Sequence, residues 1–301
     1  MTVTLAPVTR ENVRAICEMK LAQGQVQLVA PPAFTVAEGH YEPGSLLRAI
    51  CVEGEPVGVL LVELEGVVPN LVRFMIDRER QRRGVGARAV GLLGDELAAL
   101  GHDTVETSFV PLAGGAGGFW RAQGFRDTGR VRHGEPVHVR GPRVVRLADP
   151  GEPEAVAVFA GYWRDIVGRY FGREATDADV ADAFRDYPSD HLAAPGGLFL
   201  LARDEHGPVG SAGLRWYDDG DAELARMAVL PRGRRRGWGK RLLAVAEEQA
   251  REHGSPAIRL EVRGDLVEAQ ALYAVCGYVK VPAFSDAKHA DVWFRKALPS
   301  R

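Results

Sequence analysis

Cysteine is scarce in this sequence, and neither sign of charge is in excess. The three cysteines among 301 residues lie far apart and cannot all pair. Such usage is typical of a protein from a reducing compartment and excludes a disulfide-stapled scaffold. The 38 basic and 40 acidic residues give a formal net charge of -2. This balance lacks the basic excess of a nucleic-acid-binding protein, so no nucleic-acid partner is expected.

Long apolar runs and metal-ligand spacings are absent as well. No run approaches the roughly 20 residues that a membrane-spanning helix needs, and residues 1–7 lack the basic region and apolar core of a signal peptide. His133, His138 and His289 show no ligand spacing. We therefore expect a cytoplasmic protein with no membrane partner and no metal. Cys276 has no histidine in a suggestive local relation and is interpreted as a packing residue.

The sequence does contain a long internal repeat. The segment Q-R-R-G-V-G at 81–86 returns 153 positions later as R-R-R-G-W-G at 234–239, and Trp120 and Gly124 recur as Tyr273 and Gly277 at the same offset. A solenoid repeat has a period of about 20–50 residues, so this period indicates two complete domains. The turn dipeptide at 141–142 places their boundary, giving domains 1–141 and 142–301.

Strand and helix patterns alternate in the same order in both halves, which predicts an α/β fold with mixed sheets. In the first half we expect helices at 10–21, 84–100 and 117–123, and strands at 3–5, 49–52, 57–64, 72–76, 103–110 and 136–140. In the second half we expect helices within 154–187 and at 237–252 and 267–275, and strands at 144–147, 198–203, 209–216, 223–229, 257–262 and 291–294.

In each half a basic, glycine-containing loop stands between a strand and a long helix. The N-terminus of a helix offers free backbone N–H groups and a positive dipole end, so this loop is a candidate anion site. Gly84, Gly86, Gly237 and Gly239 would let an anion approach the backbone, and the neighbouring arginines add charge. One such loop alone could equally be a solvated helix entry, whereas two in equivalent places form a strong signal.

The two loops, together with F-W-R-A-Q-G-F at 119–125 and L-Y-A-V-C-G-Y at 272–278, resemble the GNAT superfamily of acetyl-CoA-dependent N-acetyltransferases. The resemblance spans nearly the whole chain and implies two tandem GNAT acyl-CoA N-acyltransferase folds with acetyl-CoA as the cofactor. The first half also resembles spermidine and diamine acetyltransferases through 40–44, 74–77 and 128–137. The second half resembles a different small-amine branch.

The resemblance implies coenzyme contacts in both halves. Backbone N–H groups near Met227 and Val229 would hold the thioester carbonyl and the pantetheine. The other implied contacts in the second half are Arg234, Arg235, Arg236, Gly237, Trp238, Gly239 and Lys240. The implied contacts in the first half are Ile76, Gln81, Arg82, Arg83, Gly84, Val85 and Gly86.

The catalytic residues implied by the resemblance occur only in the second half. Glu223, on the strand before the loop, is the candidate base, and Tyr273 is the candidate acid. The alternative for Glu223 is an exposed carboxylate on a strand without a catalytic role. The alternative for Tyr273 is a tyrosine that packs in the core. In the first half Asn70 and Trp120 stand at these positions and cannot exchange a proton usefully. Together with the small residues at 113–118, this predicts a catalytically degenerate first domain. The alternative is that these small residues widen a channel for a bulky group.

We expect direct acetyl transfer to the primary amine of a small molecule: a polyamine, an amino acid derivative or an aminated natural product such as an antibiotic. The alternatives are a non-catalytic acyl-CoA-binding scaffold or a protein N-acetyltransferase. The acidic segment 218–221 is interpreted as a solvated hairpin turn, with attraction of a cationic amine as its alternative. In the first half, Tyr41 and Glu42 are the corresponding candidates for contact with the substrate. The protein is expected to be a monomer or a homodimer.

Overall fold

The computed structural model describes residues 1–26, 28–112 and 115–299, and the chain divides into two compact units. Unit 1 comprises Met1–Thr128 and Glu135–Pro142. Unit 2 comprises Gly129–Gly134 and Arg143–Arg301. In sequence the units therefore meet after Pro142, and one short segment from before that point groups with unit 2.

Seven strands and four helices cover the described part of residues 1–140. The strands are β1 Val3–Pro7, β2 Ser45–Val52, β3 Glu55–Glu63, β4 Asn70–Ile76, β5 Val105–Ser108, β6 Arg126–Arg132 and β7 Glu135–Arg140. The helices are α1 Val13–Cys17, α2 Pro32–Tyr41, α3 Val85–Ala99 and α4 Gly117–Ala122.

The described residues from 144 onward repeat this inventory. The strands are β8 Val144–Leu147, β9 Gly197–Asp204, β10 Gly207–Trp216, β11 Ala222–Val229, β12 Ala257–Val262, β13 Val279–Val281 and β14 Val292–Ala297. The helices are α5 Pro153–Phe171, α6 Asp177–Asp186, α7 Trp238–His253 and α8 Val267–Val275.

The two seven-stranded sheets share one strand order. The first runs β1-β2-β3-β4-β5-β7-β6, and the second runs β8-β9-β10-β11-β12-β14-β13. In both sheets the fourth and fifth strands are parallel, while their neighbours pair antiparallel. The predicted fold class, α/β with mixed sheets, is confirmed, and the sequence repeat is matched by a repeat of topology.

Strand β9 of unit 2 is buried on both faces because helices cover both. Leu200 and Ala202 of β9 belong to the cluster that contains the α7 residues Leu242 and Ala246. The alternating residues Phe199 and Leu201 instead pack with the α5 residues Val158, Phe159 and Trp163. Side chains of successive strand residues point to opposite faces, which explains this near-continuous apolar sequence.

Several elements differ from the sequence-based expectation. The helix expected at 10–21 spans only Val13–Cys17, and α2, β6 and β13 were not predicted. Two prolines open α2 and a glycine lies near its end, so its sequence lacks a helical signature. In the region 154–187, where more than one helix was predicted, the structure has α5 and α6, and Gly172 ends α5 in a left-handed conformation with φ +64°.

Candidate active site

In unit 2 the sheet opens between β11 and β12. The parallel pairing of these strands consists of Ala222 with Ile258 and Glu223 with Arg259. Beyond Glu223, β11 continues along β10 to Val229, while β12 continues along β14 to Val262. The result is a split between two strands of one sheet, with Glu223 at its closed end.

A β-bulge lies on β11 inside this split. The register with β10 shifts between Ser211 and Gly213, opposite Arg226 and Met227, and Arg226 has φ +50°. The Ser211 hydroxyl donates to the Arg226 carbonyl at 2.9 Å. A bulge leaves the extra residue out of the ladder. The ladder between β10 and β11 is therefore interrupted at Arg226 and Met227.

The loop after β11 forms an uncapped, basic helix N-terminus. Gly237 is the N-cap of α7 with φ +81° and no side-chain cap, and Arg235 is also left-handed with φ +62°. The first N–H groups of a helix have no intrahelical partner, so they can bind an anion. Arg235, Arg236 and Lys240 are exposed beside them. This arrangement fits a pyrophosphate.

Arg234 stabilises the loop through two hydrogen bonds. Its Nε donates to the Val229 carbonyl at 3.1 Å and its Nη2 donates to Asp165 of α5 at 2.8 Å. An anion at this loop would share Arg234 with the protein's own carboxylate. Gln81 has the same role in unit 1, where its Nε2 donates to the Ile76 carbonyl at 2.9 Å.

The structure revises the reason for three residues of the loops. A Cβ on Gly239 would lie 2.8 Å from Leu272 Cδ2, and one on Gly86 would lie 3.1 Å from Phe119 Cε2. These two glycines therefore let the long helix approach the short helix. The side chain of Trp238 is 2% exposed and belongs to the core, so only its backbone can contribute to the loop surface.

Tyr273 lies on α8 with 6% exposure, and its ring packs 5.9 Å from Tyr278 and 5.8 Å from Phe294. Burial raises the pKa of its hydroxyl, with a further contribution from Tyr162 of α5. Tyr273 and Tyr162 belong to clusters on opposite faces of the sheet.

Glu223 stands in a row of charged residues that crosses three strands. Arg215 of β10 is its antiparallel partner and Arg259 of β12 its parallel partner. The Tyr217 hydroxyl lies near the Glu223 carboxylate and favours its charged form. Burial raises the pKa of Glu223, and Glu261 contributes, while Tyr217 and both arginines oppose the shift. A carboxylate with a raised pKa is a better general base than an exposed one.

The acidic turn before β11 is paired with arginines of its own unit. Asp219 accepts from Arg259 Nη1 at 2.6 Å, and Asp221 accepts from Arg295 at 2.8 and 3.0 Å. Its position between β10 and β11 agrees with the predicted hairpin turn. Because their charges are compensated, Asp219 and Asp221 are poor candidates for attracting a cationic amine.

Four residues at this site were missed from the sequence: Tyr162, Arg215, Tyr217 and Arg226. Arg226 lies 4.9 Å from the Trp163 ring centroid and donates to the Tyr187 carbonyl at 3.1 Å. Only the strand register, which the sequence does not display, places Arg215 beside Glu223. The sequence did offer a signal for Tyr217, because it follows Arg215 of a predicted strand by two residues.

Unit 1 repeats the loop geometry. Arg82 has φ +57°, and Gly84, the N-cap of α3, has φ +78° and no side-chain cap. Arg82 and Arg83 are exposed, whereas Val85 is buried in the core as Trp238 is in unit 2. The conformation of the basic loop is thus common to both units.

The split of unit 1 is different. The Thr107 hydroxyl of β5 donates to the Leu71 carbonyl of β4 at 2.9 Å, just beyond the parallel pair of Asn70 and Glu106. Leu260 and Leu224 occupy the corresponding positions of unit 2 and cannot form this bond. Aromatic rings pack beside the unit 1 loop, where Phe74 lies 5.8 Å from Phe119 and 5.4 Å from Trp120.

Neither a metal cluster nor a membrane span is evident in the described ranges. Within residues 1–26, 28–112 and 115–299, no group of three or more His, Cys, Asp or Glu side chains is arranged to hold a metal ion. No helix of those ranges is both long and apolar enough to cross a bilayer. Of the small-residue run at 113–118, Ala113 and Gly114 lie outside the described residues, and 117–118 open α4.

Comparison with known proteins places the site in a family. Residues 160–278, within unit 2, match the family model described as Acetyltransferase (GNAT) family. YjgM of Escherichia coli strain K12, an uncharacterized N-acetyltransferase, is 34% identical over 116 residues, which are 37% of this chain and 70% of YjgM. The chain belongs to the GNAT family of acetyltransferases. It is an N-acetyltransferase whose cofactor is acetyl-CoA.

Solved structures resemble about half of the chain. A Klebsiella pneumoniae protein described as an acyl-CoA N-acyltransferase is 24% identical with a TM-score of 0.42, covering 52% of this chain and 97% of its own. An aminoglycoside 6'-N-acetyltransferase complexed with coenzyme A is 19% identical with a TM-score of 0.39, covering 52% and 98%.

Proposed function

We propose that unit 2 is the catalytic domain and that it transfers an acetyl group directly from acetyl-CoA to the primary amine of a small molecule. One observation carries this proposal. Glu223, the bulge at Arg226 and Met227, and the uncapped basic loop follow one another along β11 and the start of α7. A base, a site of backbone N–H donors and an anion site thus stand in the order that acetyl transfer requires.

When bound, acetyl-CoA supplies the acetyl group as a thioester. The loop 234–240 binds phosphate through its N–H groups and exposed basic side chains. The backbone near Met227 and Val229 donates hydrogen bonds at the split. Glu223, whose pKa burial raises, accepts a proton from the acceptor amine. Tyr273 keeps its proton because its pKa is raised, so it can act as a hydrogen-bond donor.

Unit 1 is proposed to serve as a scaffold without catalytic activity. Asn70 stands where unit 2 has Glu223, and Trp120 stands where unit 2 has Tyr273. An amide cannot accept a proton at neutral pH, and an indole cannot donate one. The hydrogen bond from Thr107 to the Leu71 carbonyl and the aromatic rings beside the loop also distinguish the split of unit 1 from that of unit 2.

A small acceptor is favoured over a protein. A protein acetyltransferase would be expected to present an open acidic groove to a basic segment. The carboxylates of Asp219 and Asp221 are instead paired with Arg259 and Arg295, and Glu223 is half-buried.

Calorimetric titration of acetyl-CoA tests this assignment. Gly237→Val and Gly84→Val are matched variants, since each places a β-branched residue at a left-handed N-cap with open space around it. We expect one acetyl-CoA per chain, with binding lost in Gly237→Val and retained in Gly84→Val. Two molecules per chain, or loss only in Gly84→Val, would contradict the assignment and establish the contacts predicted at Ile76 and 81–86.

Turnover is measured on the same proteins by release of the coenzyme A thiol with small primary amines. We expect turnover in wild type and Gly84→Val and none in Gly237→Val. Acetyl-CoA binding without turnover of any amine would show that unit 2 binds coenzyme but does not use a small amine.

A further inference from the structure

We infer that the acceptor of unit 2 is zwitterionic: its amine is accompanied, a few bonds away, by a carboxylate or a similar anion that Arg215 binds. This inference rests on the proposed function of unit 2. It selects the amino-acid-like acceptors from the small amines and excludes the polyamines. The charges around Glu223 carry it.

In the described part of the chain, Arg215 forms no ion pair at close distance with a carboxylate, and its charge acts on the neighbouring Glu223 only by a longer-range attraction that lowers the pKa of that carboxyl. Arg215 is exposed, and its guanidinium carbon lies 4.7 Å from the centroid of the Tyr217 ring. Stacking on a ring fixes the plane of a guanidinium while leaving the N–H donors at its edge free. Such a fork matches a carboxylate with two parallel hydrogen bonds.

The register places this fork beside the proposed base. Arg215 and Glu223 are directly paired across β10 and β11, so their side chains lie on the same face of the sheet. Paired residues on antiparallel strands have Cα atoms about 4.5–5.5 Å apart. An acceptor whose amine reaches Glu223 can therefore place a group only a few bonds away at Arg215.

Arg226 extends the positive side of the site. Its donors reach the Tyr187 and Pro188 carbonyls and the Ser189 hydroxyl, which are neutral groups. His191 lies within the electrostatic reach of both guanidiniums. Burial lowers the pKa of His191, Arg226 and Arg215 lower it further, and Asp190 opposes them, so this environment disfavours the cationic imidazolium. We name Arg215 and Arg226 the basic pole.

The opposite side of the site is acidic. Glu261 stands two residues after Arg259 on β12, so its side chain lies on the same face of the sheet as those of Arg259 and Glu223. Its charge raises the pKa of Glu223. Glu261 accepts a hydrogen bond from Ser285, an uncharged partner. Glu223 and Glu261 form the acidic pole. Arg259, which neighbours Glu223 across the strands and Glu261 along β12, is paired with Asp219.

A zwitterionic acceptor satisfies both poles at once. Its ammonium group, before it loses a proton to Glu223, is attracted to the acidic pole, and its anion is attracted to the basic pole. A diamine or polyamine would bring a second positive charge to Arg215 and Arg226. Like charges at a partly buried site are strongly unfavourable, so these amines are poor acceptors.

The test compares acceptors that differ only in this second group. L-amino acids, the corresponding amino acid carboxamides, and the diamines 1,3-diaminopropane and spermidine are assayed with acetyl-CoA, with rates corrected for the fraction of neutral amine. Wild type is compared with Arg215→Gln. The control is Arg185→Gln, which removes an exposed arginine of α6.

In wild type we expect kcat/KM for the best amino acid to exceed that of its carboxamide by about tenfold or more, as for a charge-assisted hydrogen bond. Arg215→Gln should raise KM for the amino acid by a similar factor, leave KM for the carboxamide and for acetyl-CoA unchanged, and thus abolish the preference. Arg185→Gln should behave like wild type. A preference for diamines, or an equal effect of Arg215→Gln on both acceptors, would overturn the inference.

A binding measurement separates this inference from the proposed function. Amino acids are titrated by calorimetry into wild type and Arg215→Gln loaded with coenzyme A. If no amine is turned over but an amino acid binds wild type and not Arg215→Gln, the inference stands and the proposed function fails. If amines are turned over and no amino acid binds, the proposed function stands and the inference is wrong.

Discussion

The two units have the same strand order but opposite charge at corresponding sites. The residues of the third, fourth and fifth strands that pair across the start of the split are Arg215, Glu223 and Arg259 in unit 2, and Glu63, Asn70 and Glu106 in unit 1. A carboxylate between two arginines has become an amide between two carboxylates. The fold therefore does not determine the chemistry of this row, and each unit must be judged by its own residues.

The basic loops before α3 and α7, in contrast, have the same backbone geometry in both units. The residue pairs Arg82 and Gly84, and Arg235 and Gly237, are left-handed at equivalent positions. Gln81 and Arg234 both donate to the last carbonyl of the preceding strand. A loop can keep this conformation merely because the following helix begins there, whether or not it binds an anion. Its presence in unit 1 is consequently weaker evidence for coenzyme binding than the loop, bulge and base together in unit 2.

Substitution of the paired residue on the fourth strand, Glu223 in unit 2 and Asn70 in unit 1, should give the largest difference in turnover between the two units. Glu223→Gln removes the proposed base and should lower kcat/KM by about 10³-fold, within the range for general-base catalysis. Acetyl-CoA affinity should be unchanged. The matched change in unit 1, Asn70→Asp, should leave turnover as in wild type. Steady-state kinetics and calorimetry check both, and comparable losses in the two variants would remove the distinction between the units.

The short helices offer the next comparison. Tyr273→Phe removes a hydroxyl whose pKa is raised by burial, and we expect kcat to fall by about 10²-fold with little change in the KM of the amine. Trp120→Phe in unit 1 alters packing without removing an acid, and turnover should persist. If Tyr273→Phe retains full activity, Tyr273 is a core residue, as its neighbours Tyr278 and Phe294 would also allow.

The pH profile should move when the Glu223 environment is changed. Burial raises the pKa of Glu223 above its usual value, and the Tyr217 hydroxyl opposes that rise. The base acts deprotonated, so kcat/KM should fall as the pH drops through this pKa. Tyr217→Phe removes the opposing hydroxyl, hence the pKa of Glu223 rises further and the acid limb moves to higher pH. A profile that is unchanged in Tyr217→Phe would indicate that another group limits the rate.

Much of the fold was accessible from sequence, because local patterns define it. The strands at 144–147 and 257–262 and the helix at 267–275 have the predicted bounds. They are strongly apolar or periodic and end at clear turn residues. In contrast, β13 has only three residues, of which two are exposed, and such a short strand forms only because β14 is there to pair with it.

The site was accessible only where its residues are close in sequence. The loop 234–240 and the strand residue Glu223 could be aligned with a family pattern. The pairing of Glu223 with Arg215 and Arg259 depends on register between strands, and no local propensity encodes it. The packing role of Gly239 likewise became visible only through its approach to Leu272 on another helix.

The smallest expected effect concerns the bond that spans the split of unit 1. Thr107 is 2% exposed, and Thr107→Val would leave the Leu71 carbonyl without this donor. We expect a loss of about 1–3 kcal/mol in the free energy of unfolding, as for a buried group that loses its partner. Thr107→Ser keeps the hydroxyl and serves as the control, with a smaller loss due to the missing methyl group.

Denaturant unfolding of both variants measures that loss, and acetyl-CoA turnover is followed in parallel. If unit 1 is a scaffold, Thr107→Val should weaken it while kcat and the KM for acetyl-CoA stay unchanged. A change in turnover with intact folding would mean that the split of unit 1 takes part in catalysis. The contrast between a bonded split in unit 1 and an open one in unit 2 would then describe two working sites rather than one site and its support.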